Sequence, residues 1–89
     1  TVGFIFARSG LGVNFGVSLP NAVGVVDSDY RGELIVGIGN ISEKAYTLSP
    51  GERFAQLVVM PVYETELHET GDLGDTVRGC GAFGSTGKA

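Results

Sequence analysis

No stretch of this chain sustains a helical apolar period. Its apolar residues fall instead into short runs cut by Gly, Pro, Asn, Asp and Ser. Runs of this length, separated by turn-formers and rich in Val, Ile and Phe, read as β-strands. VGFIF (Val2–Phe6) leads into ARSGLG, VNFGVSL (Val13–Leu19) ends at Pro20-Asn21, and AVGVVD (Ala22–Asp27) follows. In ELIVGIGN, residues Leu34, Val36 and Ile38 share one face, as a period of two requires. KAYTL and the SPG turn come next, and RFAQLVVMPV (Arg53–Val62) is apolar enough to predict a strand buried on both faces. The strongest helical signal is a single turn at Ser9–Gly12. The expected class is therefore all-β, a barrel or sandwich such as a jelly roll. The heavy use of glycine, 15 of 89 residues, agrees, because the glycines fall at the apparent turns.

Size allows one small domain, in which an unaided core would be marginal and partner subunits are expected. We expect a barrel over residues 1–63, a solvated linker over 64–77, and a glycine-rich arm over 78–89. A net charge of −4 opposes duplex binding, so no nucleic-acid partner is expected. The apolar runs fall short of a membrane span, so no membrane partner is expected either. A single cysteine, Cys80, rules out an internal disulfide and a thiolate zinc cage. The expected location is intracellular, first of all cytoplasmic, with nuclear, mitochondrial and viral origins open. Thr1 opens the sequence and Met60 is its only methionine, so further upstream residues are expected.

Chemistry concentrates in four places. RGCGAFGSTGKA superficially resembles a phosphate-binding P-loop, but five residues separate Gly81 from Gly87 and no helix can follow Lys88. Its parts still suit a nucleotide. Arg78 can fork onto phosphate oxygens, Ser85 and Thr86 can donate, and Phe83 can stack on a flat ring. Arg8, Ser9 and Gly10 bring a guanidinium, a hydroxyl and an open amide together, which fits a phosphate chain and fits an ordinary turn as well. In NAVGVVDSDYRGE, Asp27 could deprotonate a water and Tyr30 could pack on a sugar; an Asp-containing hairpin turn is the alternative. Gln56 is a lone amide in an apolar run, suited to a core network or to a bound water. His68 reads as surface. No His, Cys, Asp and Glu spacing marks a protein-ligated metal site, and no Ser-His-Asp or Cys-His set is present.

Taken in order, ARSGL, NAVGVVDSDYRGE, GERFAQLVV and RGCGAFGSTG resemble the second to fifth motifs of the trimeric dUTP diphosphatases. The resemblance implies a β-clip, a jelly-roll-like barrel. It implies hydrolysis of dUTP to dUMP and pyrophosphate by water attack at the α-phosphate, with Mg²⁺, which limits uracil entry into DNA. Carried over by residue, Asp27 would position and activate the water, and Gln56 would hold that water or a phosphate oxygen. Arg8, Ser9 and Gly10 would hold the phosphate chain. Asn21 would open the hairpin that reads uracil, Tyr30 would exclude a 2′-hydroxyl, and Phe83 would stack on the base while Arg78, Ser85 and Thr86 close on the γ-phosphate.

In such a homotrimer each site is shared between subunits, with a core built from Leu34–Ile38 and Phe54–Val62. The family's first motif, whose Asp orients the metal through water, has no counterpart here, so no metal ligand is expected in this chain. A separate or continuous N-terminal segment of the same protein would supply it. Motif two begins with Ala7 where proline is usual, and Cys80 and Ala82 vary the tail. Two other functions stay open: a non-catalytic relative that binds dUTP or a protein partner, and a dCTP deaminase-like enzyme of the same fold.

Overall fold

The computed structural model describes residues 1–83. Its elements are β1 (Val2–Ala7), α1 (Ser9–Phe15), β2 (Val17–Ser18), β3 (Gly24–Asp27), β4 (Gly39–Asn40) and β5 (Ala55–Met60). Strand β1 is the centre of an antiparallel three-stranded sheet in the order β3-β1-β5. Val2 stands opposite both Asp27 and Met60, Ile5 opposite Gly24 and Leu57, and Ala7 opposite Ala55. A second, two-stranded sheet joins β2 to β4 through Val17↔Asn40 and Ser18↔Gly39. Strand dominates the regular structure, with five strands beside one short helix among the described residues, which fits the expected all-β fold. The described strands form two small sheets.

The helix departs from expectation. SGLGVNF folds as a seven-residue helix, so the first half of the expected Val13–Leu19 strand is helical and only Val17–Ser18 pairs. Two glycines and a β-branched valine give this segment poor intrinsic helicity. Tertiary packing supplies what propensity does not: Leu11 is buried, one of five buried apolar side chains among the described residues with Val2, Ile5, Val17 and Leu19. Gly16 then ends the helix in the left-handed region at φ 70°, its N–H directed at the Gly12 and Leu11 carbonyls. The same residue docks the next layer, because the Gly16 carbonyl accepts from Ile41 N–H at 3.0 Å. A Cβ there would stand 3.1 Å from the Ser42 nitrogen and 3.2 Å from its Cβ. Gly16→Ala is therefore expected to cost about 1–2 kcal/mol for the left-handed backbone alone, with the contact adding to it. Urea denaturation checks this; an unchanged midpoint would remove Gly16 from the account.

Three further expectations are corrected. Leu34–Ile38 and Lys44–Leu48 carry no strand, and the only paired residues in that part of the chain are Gly39 and Asn40. The Arg53–Val62 run narrows to Ala55–Met60, and its side chains are not buried on both faces: Leu57 is 51% and Val59 65% exposed. Its apolar sequence anticipates a covering layer that this chain by itself does not place over it. From Pro61 to Cys80 every residue is exposed, without strand or helix.

Candidate active site

Two cavities gather most of the residues singled out above. The first, of about 280 Å³, is lined by Asn21, Asp27, Tyr30 and Glu33 over an apolar floor that includes Ile5 and Leu34. It sits where β3 leaves the sheet. Asp27 is the last residue of that strand, and Tyr30 N–H donates to the Asp27 carbonyl at 3.1 Å to close a tight turn. The Arg31 guanidinium folds back over the turn, its Nη1 donating to the carbonyls of Ser28 (2.9 Å) and Tyr30 (3.0 Å). The Tyr30 hydroxyl donates to the Glu33 carbonyl at 2.5 Å. At the other end of β3, Ala22 adopts φ 65°, a conformation that costs a non-glycine residue about 1–2 kcal/mol. Two short backbone bonds hold it there: Ala22 N–H to the Leu19 carbonyl (3.0 Å) and Val23 N–H to the Asn21 carbonyl (2.7 Å). The segment bearing Asn21, Asp27 and Tyr30 is thus pinned at both ends by its own backbone and by Arg31. Asp27 itself is exposed, which leaves its carboxylate open to water.

The second cavity, of about 350 Å³, is lined by Arg8, Ser9, Gly10, Asn14, Phe15 and Gln56. Arg8 is the extended residue before α1, and Ser9 and Gly10 are exposed in the first turn. Gln56 reaches them from β5, its Nε2 donating to the Ala7 carbonyl at 3.3 Å. Gln56 is exposed, so of the two alternatives left open for it the core network is the one the structure removes. The strand is a sheet edge here, and the amide meets the cavity instead of the core. Sequence reasoning did not anticipate Asn14, Phe15 or Glu33 as lining residues. Phe15 packs against Tyr46 at 5.0 Å between ring centroids, and the Tyr46 hydroxyl donates to Glu52 Oε1 at 2.5 Å. Glu52 Oε2 also accepts from Ser49 N–H at 2.9 Å. The Tyr46 bond, then the Ser49 amide, hold the Glu52 carboxyl below its ordinary range, and the same carboxylate raises Tyr46. This brace ties the SPGE turn to the cavity wall, and only the folded chain brings its members together.

The two cavities share no lining residue, and the sheet register explains why. Asp27 pairs with Val2 and Gln56 with Phe6, on opposite flanks of β1. Four strand steps and two inter-strand spacings separate their Cα atoms by on the order of 16 Å. One water cannot meet both side chains within a single chain. Arg78 and Phe83 line neither cavity: Arg78 Nε donates to the Gly81 carbonyl at 2.8 Å, and Phe83 is fully exposed. Ser85 and Thr86 lie outside the described residues.

The structure thus sets an open cavity lined by Arg8, Ser9 and Gly10 at one end of a small β-sheet and a cavity lined by Asp27 and Tyr30 at the other. The dUTPase family matches residues 1–87. The deoxyuridine 5′-triphosphate nucleotidohydrolase of Desulfitobacterium hafniense (strain DSM 10664 / DCB-2) is 49% identical over 84 residues, covering 94% of this chain and 56% of that protein. The protein of the same name from Acinetobacter baumannii (strain AYE) is 48% identical over 86 residues, covering 97% of this chain and 57% of that protein. This chain belongs to the dUTPase family. It spans little more than half the length of the curated relatives it matches.

Proposed function

We propose that this chain forms the phosphate-holding, water-activating and sugar-reading parts of a dUTP diphosphatase. Family membership and the name shared by its relatives support the substrate. The observation that carries the reading is the separation of two complementary cavities, one suited to phosphates and one to a sugar with an activated water.

In this reading Arg8 and the Ser9 hydroxyl hold the triphosphate chain, with the Gly10 amide beside them. Asp27 takes a proton from the water that attacks the α-phosphorus. The bond from that phosphorus to the α–β bridging oxygen breaks, giving dUMP and pyrophosphate. Asn21 opens the uracil-reading edge, and the Tyr30 ring packs on the deoxyribose. Because Asp27 and Gln56 stand far apart on one chain, a site that uses both on one water draws them from two copies. A homotrimer with shared sites meets that requirement. Residues 78–89 then act as an arm that closes on bound nucleotide, Phe83 on the base and Arg78, Ser85 and Thr86 on the γ-phosphate.

The outer strands β3 and β5 leave free edges to which a further N-terminal segment of the same protein could pair. Among the described residues no three His, Cys, Asp or Glu side chains cluster as a metal site, and the phosphate cavity contains no carboxylate. Mg²⁺ characteristically keeps several waters and binds substrate phosphates, so it fits here as a companion of the triphosphate. When bound it would neutralise charge on the phosphate oxygens. The expected location is intracellular, with the nucleotide pool.

The deciding experiment is pyrophosphate release from dUTP beside dCTP, TTP and UTP, with Mg²⁺ and with EDTA. Selective release from dUTP that EDTA abolishes supports the reading. Ammonia from dCTP would assign a deaminase, and tight dUTP binding without turnover would assign a non-catalytic relative.

A further inference from the structure

We propose that Gly32 is the residue that sets the position of the Tyr30 ring, and through it the preference for deoxyribose. The inference rests on the reading of Tyr30 as the wall against a 2′-hydroxyl. A Cβ at residue 32 would overlap the Tyr30 hydroxyl oxygen and stand 2.6 Å from its Cζ and 2.8 Å from Cε1. Each separation is far inside van der Waals contact. The backbone does not itself demand glycine here, because Gly32 is not among the glycines with positive φ. The three atoms nearest to such a Cβ all belong to the Tyr30 ring and its hydroxyl.

The consequence of adding one follows from which group can yield. Tyr30 is half exposed, so its ring can swing away at little cost to the fold. The turn beneath it has separate support, from the Tyr30 N–H bond to the Asp27 carbonyl and from Arg31 on the Ser28 and Tyr30 carbonyls. A side chain at residue 32 therefore displaces the ring, breaks the hydroxyl bond to the Glu33 carbonyl, and leaves Asp27 where it was. Gly32 is a positioning residue whose single effect is on Tyr30.

The test is calorimetry on the full assembled protein with non-hydrolysable α,β-imido analogues of dUTP and UTP. Four forms are compared: the parent, Gly32→Ala, Tyr30→Ala and the double variant. A shape-fitting wall discriminates against one hydroxyl by at most about 100-fold, so Gly32→Ala should reduce the deoxyribose preference by roughly tenfold. In the double variant it should change nothing beyond Tyr30→Ala, since both act through one ring. A second measurement needs no ligand. Tyr30 ring resonances should move in Gly32→Ala while the Cα resonance of Asp27, at the end of β3, stays. If Tyr30→Ala relaxes the preference and Gly32→Ala does not, or if the ring resonances stay in place, the inference fails and the wall stands. If Tyr30→Ala itself leaves the preference intact, the wall is wrong and the inference goes with it.

Discussion

If Asp27 is the proposed general base, Asp27→Asn is expected to lower the rate of pyrophosphate release from dUTP by roughly 10²–10⁴-fold, the usual contribution of such a group. Nucleotide affinity is expected to stay close to that of the parent. The substitution keeps size and shape at the end of β3. The closing bond of the turn runs from Tyr30 N–H to the Asp27 backbone carbonyl, which the variant retains. The capacity to take a proton is removed together with the carboxylate's charge, while the shape of the side chain is kept. Steady-state kinetics beside calorimetry with an α,β-imido analogue separates the two quantities. Loss of affinity with kcat unchanged would make Asp27 a binding residue. Near-parental turnover would return it to the plain role of a turn former.

Mixing inactive chains should restore activity. Arg8→Ala removes the guanidinium of the cavity proposed for phosphate, and Asp27→Asn removes the proposed base of the other. Each variant alone is expected to hydrolyse dUTP at least about 100-fold more slowly than the parent. If one site takes its phosphate cavity from one copy and its base from another, a trimer containing both variants has sites with two intact halves. Unfolding the variants together in equal amounts and refolding them scrambles the subunits. About a quarter of sites should then be intact for random assembly of a cyclic oligomer. The argument is geometric: the β1 register holds Asp27 and Gln56 at opposite flanks and opposite ends of the same strand. Activity no greater than the sum of the separate variants would mean that each site is built within one chain, and the shared-site proposal would fall.

Which predicted residues share a cavity was in large part legible from their adjacency along the chain. Arg8, Ser9 and Gly10 are adjacent in sequence, so their common cavity follows from one local turn. Asn21, Asp27 and Tyr30 are similarly close along β3, which pairs only with β1 and so forms no hairpin of its own, and the turns at its two ends. Side chains so near along the chain need little tertiary information to meet. Glu33 and Phe15 gave weaker signals: a charge after a turn and an aromatic beside glycine have no distinctive pattern, and both gain meaning only from the cavities they line. The Tyr46–Glu52 brace was invisible for the same reason. Gly32 was readable as a turn glycine, but the ring that requires it there was not.

The sequence by itself determined the strand-dominated class, the order of the motifs and the chemical character of each cluster, because period, turn-formers and functional groups are local properties. Tertiary structure alone decided three things. It made SGLGVNF helical, since burial of Leu11 and the left-handed Gly16 outweigh poor propensity. It put the amide of Gln56 into a cavity and not a core, since β5 is an edge strand whose apolar residues remain uncovered in this chain. It also separated Asp27 from Gln56, since hydrogen-bond register fixes which residues stand opposite one another, and a hydrophobic pattern with a period of two does not specify the partner strand or the end at which a pair falls.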